Sequence, residues 1–265
     1  MLIDFHMHAF PQRIALPALE SLSQKADGLP YHTQGTPQST LEQMDVWGVD
    51  LGCIMNIATN PRQQAKVNAF AVETDQNPRF CAFGSVHPDS PEWEKALEEI
   101  AEGGLKGIKL HPEYQEFRVW EPRMLPLYRK CRDLGLIVMF HAGKDIGFPD
   151  TFNAPAEDFA SLAQALPDLK AVLAHFGGWD CWEEVKERLA GKVPFYFDTS
   201  FSGGRLSPCL AEELIQIHSA DRILFGSDCP WQPSDVALAF LKELSLTEEE
   251  MEKICWKNGA ALLKI

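Results

Sequence analysis

Short apolar segments rich in β-branched and aromatic residues recur along the chain, separated by more polar stretches. Most of these segments are continuously apolar, which is typical of strands buried on both faces of a parallel sheet. We therefore predict eight strands, at Leu2–Met7, Leu51–Ile57, Phe80–Val86, Gly107–Leu110, Leu136–Phe140, Ala171–Ala174, Val193–Phe197 and Ile223–Phe225.

The stretches between the predicted strands have helical periodicity. Apolar side chains recur at i, i+3, i+4 and i+7 within 159–166, and 208–218 has an aligned apolar face. Near the end, Thr247 followed by Glu250 forms a capping box, which predicts a last helix through Trp256. Strands that alternate with helices fold as either a closed barrel or an open doubly wound sheet.

The segment after the first strand decides between these two folds. An open sheet usually has a glycine-rich phosphate loop there, but His8-Ala9-Phe10-Pro11 contains no glycine. Eight strands in 265 residues also match the size of one α/β barrel. We predict an α/β protein, a (β/α)₈ TIM barrel, with residues 1–265 as a single domain that ends in an extra C-terminal helix.

The charge and cysteine content exclude some classes of function. The chain has 38 acidic and 24 basic residues, a net charge of −14, which argues against a nucleic-acid partner. No apolar stretch approaches the roughly 20 residues needed to cross a bilayer, and nothing resembles a signal peptide. The seven cysteines are scattered without C-x-x-C pairs, as in reduced, cytoplasmic proteins. We expect a cytoplasmic protein with a small-molecule substrate, no membrane partner and, by default, a homodimer.

Polar residues suited to metal binding follow the predicted strands. Six of the eight histidines close a strand, and Asp228 follows the eighth. In a barrel these strand ends meet at one mouth, where the active site of this fold is built. Imidazoles and a carboxylate from separate strands can gather around one divalent ion, so the pattern predicts a metal site. The histidines are His6, His8, His87, His111, His141 and His175.

Five motifs in this order make the sequence resemble the amidohydrolase superfamily, in the branch that includes aminocarboxymuconate-semialdehyde decarboxylase. They are DFHMH at 4–8, GIKLHP at 107–112, FHAG at 140–143, AHFGG at 174–178 and FGSDCPW at 225–231. The resemblance implies a TIM barrel and a metal held by His6, His8, His141 and Asp228. It also implies that His175 is the general acid and base, or a ligand of a second metal if two ions bind. Asp228 could in addition accept the proton of a metal-bound water.

Three further residues are open between two roles. Asp4 is either a ligand or a residue that orients His6 or His8, and its short side chain favours the second role. Lys109 and His111 point the same way on the fourth strand, and the superfamily's two-metal members have a carboxylated lysine there. We favour one Zn²⁺ ion, with Mn²⁺, Fe²⁺ or Co²⁺ chemically acceptable and two ions as the alternative.

The expected reaction follows from an ion that can activate water. Our leading hypothesis is a metal-dependent hydrolase acting on a small carboxylate-bearing ester, lactone or amide. A non-oxidative decarboxylase of the same branch is the second hypothesis, and a metal-stabilised ligand-binding barrel without turnover is the third. Arg62 after the second strand and Trp231 in the last loop are candidate substrate-binding residues.

Overall fold

Eight strands and eleven α-helices alternate in the computed structural model, which describes residues 1–265. The strands are β1 (Ile3–Met7), β2 (Leu51–Met55), β3 (Phe80–Phe83), β4 (Gly107–Leu110), β5 (Ile137–Phe140), β6 (Ala171–Leu173), β7 (Tyr196–Asp198) and β8 (Ile223–Leu224). The helices are α1 (Ala15–Lys25), α2 (Pro37–Trp47), α3 (Gln64–Asp75), α4 (Trp93–Glu102), α5 (Leu125–Leu134), α6 (Ala156–Ala165), α7 (Trp182–Arg188), α8 (Pro208–His218), α9 (Ser234–Glu243), α10 (Glu248–Glu252) and α11 (Asn258–Leu263).

The strands form a closed parallel ring. Neighbouring strands pair in parallel from β1 to β3 and from β4 to β8. A parallel bridge between Gly84 and Ile108 joins β3 to β4, and a second one between Met7 and Cys229 joins β1 to the loop after β8. The amide of Phe5 also donates to the carbonyl of Phe225 at 2.8 Å. The predicted TIM barrel is therefore confirmed.

Alternate residues of each strand belong to two separate cores. On β5, Ile137 and Met139 pack in a small core with Leu263 of α11, whereas Val138 and Phe140 pack in a larger core. This alternation separates the inside of the ring from the layer beneath the helices. None of the helices is long and apolar enough to cross a bilayer.

The C-terminal segment confirms the predicted capping box and differs from prediction in the helix that follows. Thr247 Oγ1 accepts from the amide of Glu250, and the Glu250 carboxylate accepts from the amide of Thr247. The helix does not end at Trp256, because a π-helical turn at Lys253–Lys257 leads directly into α11. There Asn258 donates both amide hydrogens to the carbonyls of Ala220 and Ile223, which ties α11 to the start of β8.

Candidate metal centre

Three predicted ligands converge where β1 ends beside the loop after β8. The Nε2 atoms of His6 and His8 lie 3.2 Å apart, and Asp228 Oδ1 is 3.4 Å from the first and 3.1 Å from the second. Two backbone hydrogen bonds hold the segments together, from Asp228 N to His6 O and from His8 N to Cys229 O. Ligands about 2.1 Å from one ion, at tetrahedral or octahedral angles, lie roughly 3.0–3.4 Å apart. The spacing of this triad fits a divalent ion.

The tautomers of the two histidines support the same conclusion. His6 Nδ1 donates to Asp198 Oδ2 and His8 Nδ1 donates to the carbonyl of Met55, both at 2.9 Å. In the neutral form of each ring, Nε2 then carries the lone pair, and the two lone pairs face each other. Burial, together with the charge of Lys109, lowers the pKa of His6 to about 4, which keeps the ring neutral. Two facing lone pairs repel unless a cation lies between them, so this donor set fits a metal.

His141 and His175 form a second pair of the same kind. His141 Nε2 donates to the carbonyl of Lys144 and His175 Nδ1 donates to that of Ser200, both at 3.0 Å. The remaining nitrogens, His141 Nδ1 and His175 Nε2, lie 3.2 Å apart. The structure thus brings His141 to the site, where its Nδ1 faces His175 Nε2, but His141 is not part of the group with ligand-like spacing that His6, His8 and Asp228 form.

A backbone reversal places His175 in the site. Ala171 and Leu173 on β6 belong to the core beneath the helices, and simple alternation would send residue 175 the same way. His175 instead has a φ of 60°, in the left-handed region, and Asp228 has a φ of 72°. Such a conformation costs a non-glycine residue on the order of 1–2 kcal/mol and is concentrated at functional sites. Asp198 Oδ1 stabilises the reversal by accepting from the amide of His175 at 2.9 Å.

Asp198, at the end of β7, is a site residue that the sequence analysis missed. Its side chain is fully buried and accepts from His6 Nδ1, the His175 amide and the Ser200 amide. Burial alone would raise its pKa, but the hydrogen bonds donated by His6 and by the residue 198–200 turn outweigh this and hold the pKa at about 2. The predicted strand stopped at Phe197, one residue short. A carboxylate at a barrel strand end was the signal that could have identified it.

The carboxylate of Asp4 lies outside both groups with ligand-like spacing and bonds to no imidazole. The pairing of β1 with β2 shifts register between Asp4 and Met7, so Asp4 does not share a face with His6 as strict alternation predicts. Its carboxylate accepts from the amides of His6 and Ser227 and from the hydroxyl of Ser234. Burial raises its pKa to about 6 despite these bonds. Asp4 therefore braces the backbone of β1 against the loop after β8.

Lys109 and His111 both lie at the site, as expected from their shared face of β4. Lys109 Nζ is 3.4 Å from His6 Nε2, and burial lowers its pKa to about 8. His111 stacks on His141 with ring centroids 4.2 Å apart, and its Nε2 is 3.2 Å from Asp145 Oδ2. His111, His141 and Asp145 form a second group with ligand-like spacing.

A cavity of about 640 Å³ opens above these residues. Trp231 lines it, in agreement with the sequence analysis, whereas Arg62 is exposed and does not. The expectation that Arg62 binds substrate is therefore not supported, because the short helix at Pro61–Gln63 turns it outward. Lys66, one helical turn later, lines the cavity instead. The apolar wall is made by Phe10, Pro11, Ile14, Leu22, Leu29, Ile57, Val67, Phe70, Trp179 and Phe201.

The fold and the site define a barrel enzyme with a metal-type donor set at the carboxyl ends of its strands. Residues 3–265 match the family described as Amidohydrolase, so the chain belongs to that family. The resemblance inferred from the five motifs is confirmed.

Two curated relatives have significant sequence similarity to part of the chain. One is gamma-resorcylate decarboxylase of Polaromonas sp., which is 28% identical over 123 residues, or 40% of this chain and 37% of that protein. The other is 2-amino-3-carboxymuconate-6-semialdehyde decarboxylase of Dictyostelium discoideum, which is 29% identical over 124 residues, or 39% of this chain and 34% of that protein. The matched segment thus spans little more than a third of each relative.

A solved structure has the same fold over nearly the whole length. It is a dihydroxybenzoic acid decarboxylase from Polaromonas sp., with bound manganese and the inhibitor 2-nitroresorcinol. Its TM-score is 0.71 at 17% identity, with 99% of this chain and 96% of that one covered. The hydrolase hypothesis is wrong in view of these relatives, since each is a decarboxylase. A bound ion that could activate water is common to both reaction classes and did not discriminate between them.

Proposed function

We propose that this protein is a divalent-metal-dependent, non-oxidative decarboxylase of a small aromatic or unsaturated carboxylic acid. The observation that carries the proposal is the set of unprotonated imidazole nitrogens and one carboxylate facing each other at the floor of a mostly apolar cavity. The decarboxylase relatives provide the reaction class.

The ion would be held by His6, His8 and Asp228, which have ligand-like spacing in the structure. The resemblance to the family adds His141 as a fourth protein ligand. Zn²⁺ suits a site rich in imidazole, and Mn²⁺, the ion in the Polaromonas structure, is compatible with the same donors. A divalent ion bound there would act as a Lewis acid on the substrate carboxylate or on an adjacent hydroxyl. Asp198 and the carbonyl of Met55 would orient His6 and His8 for this role.

The number of bound ions can be measured directly by elemental analysis of the purified protein. We infer one ion, because Lys109 Nζ, only 3.4 Å from His6 Nε2, is a competing positive charge unless it is modified. Two equivalents in the native protein, with one lost in Lys109→Met, would instead assign a second ion to the His141–His175 pair.

Decarboxylation breaks one C–C bond, releases CO₂ and leaves the electron pair on the carbon, which then takes one proton. His175 is the group we assign to that proton. Its Nδ1–H is committed to the carbonyl of Ser200, so Nε2 is the nitrogen that can take up and deliver a proton in the site. Burial lowers the pKa of His175, so its protonated form is a stronger acid than free imidazole.

The cavity wall favours a planar, partly apolar acid. Three lysines line it, but Lys144 is paired with Asp180 at 2.7 Å and Lys109 is buried beside His6. Lys66 has no carboxylate partner, so it is the cation available to a second anionic group of the substrate.

The test is CO₂ release by the metal-loaded protein from a panel of phenolic and unsaturated carboxylates, run in D₂O. Turnover should place one deuterium on the carbon that loses CO₂, and removal of the ion with a chelator should abolish it. His175→Asn should lose turnover and keep the ion. Hydrolysis of esters or lactones without any CO₂ release would overturn the proposal.

A further inference from the structure

One acceptor on the cavity wall has no donor within the protein. Asn56 follows β2, lines the cavity and is only 6% exposed. Its Nδ2 donates to the carbonyl of Phe83 at 2.9 Å and to that of Ile54 at 3.4 Å, which assigns the amide orientation. Both amide hydrogens are thus used on the barrel side. The carbonyl oxygen, Oδ1, is left to face the cavity.

Asn56 lines the same cavity as the proposed metal centre and follows a residue that contacts it. The preceding residue is Met55, whose carbonyl accepts from His8 Nδ1 at 2.9 Å. Asn56 is therefore the next residue after the carbonyl that orients the proposed ligand His8. Its own side chain is held by the carbonyls of Ile54 in β2 and Phe83 in β3. An acceptor that opens on a cavity and has no donor from the protein takes its hydrogen bond from water or from a bound ligand.

We propose that Asn56 is a specificity-determining residue that accepts a hydrogen bond from a hydroxyl or amino group of the substrate. This inference rests on the proposed function for its placement of the substrate carboxylate at the metal centre. The substrate class becomes a carboxylic acid that carries an O–H or N–H donor on the same framework. A methoxy group in that place has no hydrogen to donate, so it leaves Asn56 Oδ1 without a partner.

Other polar groups of the wall are weaker candidates for this role. Gln63 Oε1 already accepts from Thr59 at 2.9 Å. Tyr114 also lines the cavity, but its hydroxyl can donate and accept, so it does not select for a donor on the ligand. Tyr114→Phe is therefore the matched control, because it removes the hydroxyl of a cavity-lining residue without changing Asn56.

The experiment measures binding, not turnover, on the Mn²⁺-loaded full chain. Calorimetric titration with 2-hydroxybenzoate against 2-methoxybenzoate, and with the two 3-substituted isomers, gives a hydroxyl-to-methoxy affinity ratio for each position. We expect a ratio of about tenfold or more for at least one position in the native protein. Asn56→Ala should bring it within about twofold of unity, with metal content unchanged, whereas Tyr114→Phe should keep the native ratio.

Asn56→Asp is a second variant, because its carboxylate still accepts, and it should keep the preference for hydroxyl. A native ratio near unity at both positions overturns the inference, and so does a ratio that persists in Asn56→Ala, which would assign the preference to the ion. The binding experiment needs no turnover. A native protein that prefers the hydroxyl but releases no CO₂ would therefore contradict the proposed reaction and leave the role of Asn56 intact.

Discussion

His6 Nδ1 lies 2.9 Å from Asp198 Oδ2, although the two residues are 192 positions apart in the sequence. The contact joins β1 to β7 inside the barrel and commits the Nδ1 hydrogen of His6, so that Nε2 faces His8 and Asp228. The same carboxylate supports the reversed backbone at His175 through its amide. Asp198 thus orients a proposed ligand and the proposed proton carrier together.

Asp198→Asn should weaken metal binding without removing any ligand. The amide keeps the size of the carboxylate but loses the charge that fixes the His6 tautomer. Loss of such a partner typically costs a factor of about 10–100 in affinity. Competition with a fluorescent chelator would measure it, and Asp168→Asn, an exposed position, is the control. Equal affinities for the two variants would show that Asp198 does not orient the metal centre.

His175→Asn and His6→Asn should separate proton transfer from metal binding. The first should retain the ion and lose turnover by a factor of about 10²–10⁴, the range for a positioned acid or base. The second should lose both, because a member of the triad is gone. Metal content and turnover, measured on the same preparations of both variants, distinguish loss of proton transfer from loss of the ion. Release of the ion from His175→Asn would make His175 a ligand and refute its assignment as proton carrier.

Lys66→Gln should raise the KM for substrates with two anionic groups by about three- to tenfold, as expected for a partly solvated charged contact. The KM for monoanionic substrates should change little, because no second charge meets Lys66. Arg62→Gln is a matched control, since it removes a positive charge one helical turn earlier, outside the cavity. An effect of Arg62→Gln equal to that of Lys66→Gln would point to general electrostatic attraction instead of a specific contact.

His218 lies away from the proposed metal centre and should make stability depend on pH. Its ring stacks on Phe197 at 3.8 Å, Nε2 donates to the carbonyl of Phe195, and burial lowers the pKa to about 4. Between this value and about 6.5, the unfolded chain binds the proton that the folded one excludes, so stability falls as the pH falls.

From pH 7 to pH 5 the native protein should lose about 2 kcal/mol of unfolding free energy beyond the loss in His218→Gln. Asp4, with its raised pKa of about 6, makes an opposing contribution to stability in the same pH range. Because both proteins contain Asp4, this contribution cancels when the loss in His218→Gln is subtracted from that in the native protein. Urea titrations at both pH values measure it. Parallel pH profiles would refute the buried, neutral state of His218.

The barrel and most of the site were predictable because they depend on local patterns. Continuous apolar runs located all eight strands, and residues that end parallel strands in a closed ring must meet at one mouth. The contacts made by Asp198 depend on which strands face each other across the ring. The alternation of apolar and polar residues along one segment contains no information about that. The β1 register shift that turns Asp4 away, and the left-handed φ that turns His175 inward, are likewise products of the assembled barrel.

The substrate-binding residues were the least predictable part. Arg62 was predicted at the mouth of the barrel because it follows a strand. Which side chain faces the cavity depends on its position around the helical turn, and the side chain on the cavity side is that of Lys66. The reaction class was also beyond the ligand pattern, because the same donors can hold an ion for hydrolysis or for decarboxylation.

Metal content tests the central claim most directly. Protein produced with excess Zn²⁺ or Mn²⁺, freed of loosely bound ions and analysed for elements, should retain about one equivalent, as expected for one set of His and Asp ligands. His8→Asn should retain almost none, while the exposed variant Asp168→Asn should match the native protein. A native protein without metal after this treatment, or a His8→Asn variant that holds as much as the native one, would contradict a metal centre at His6, His8 and Asp228.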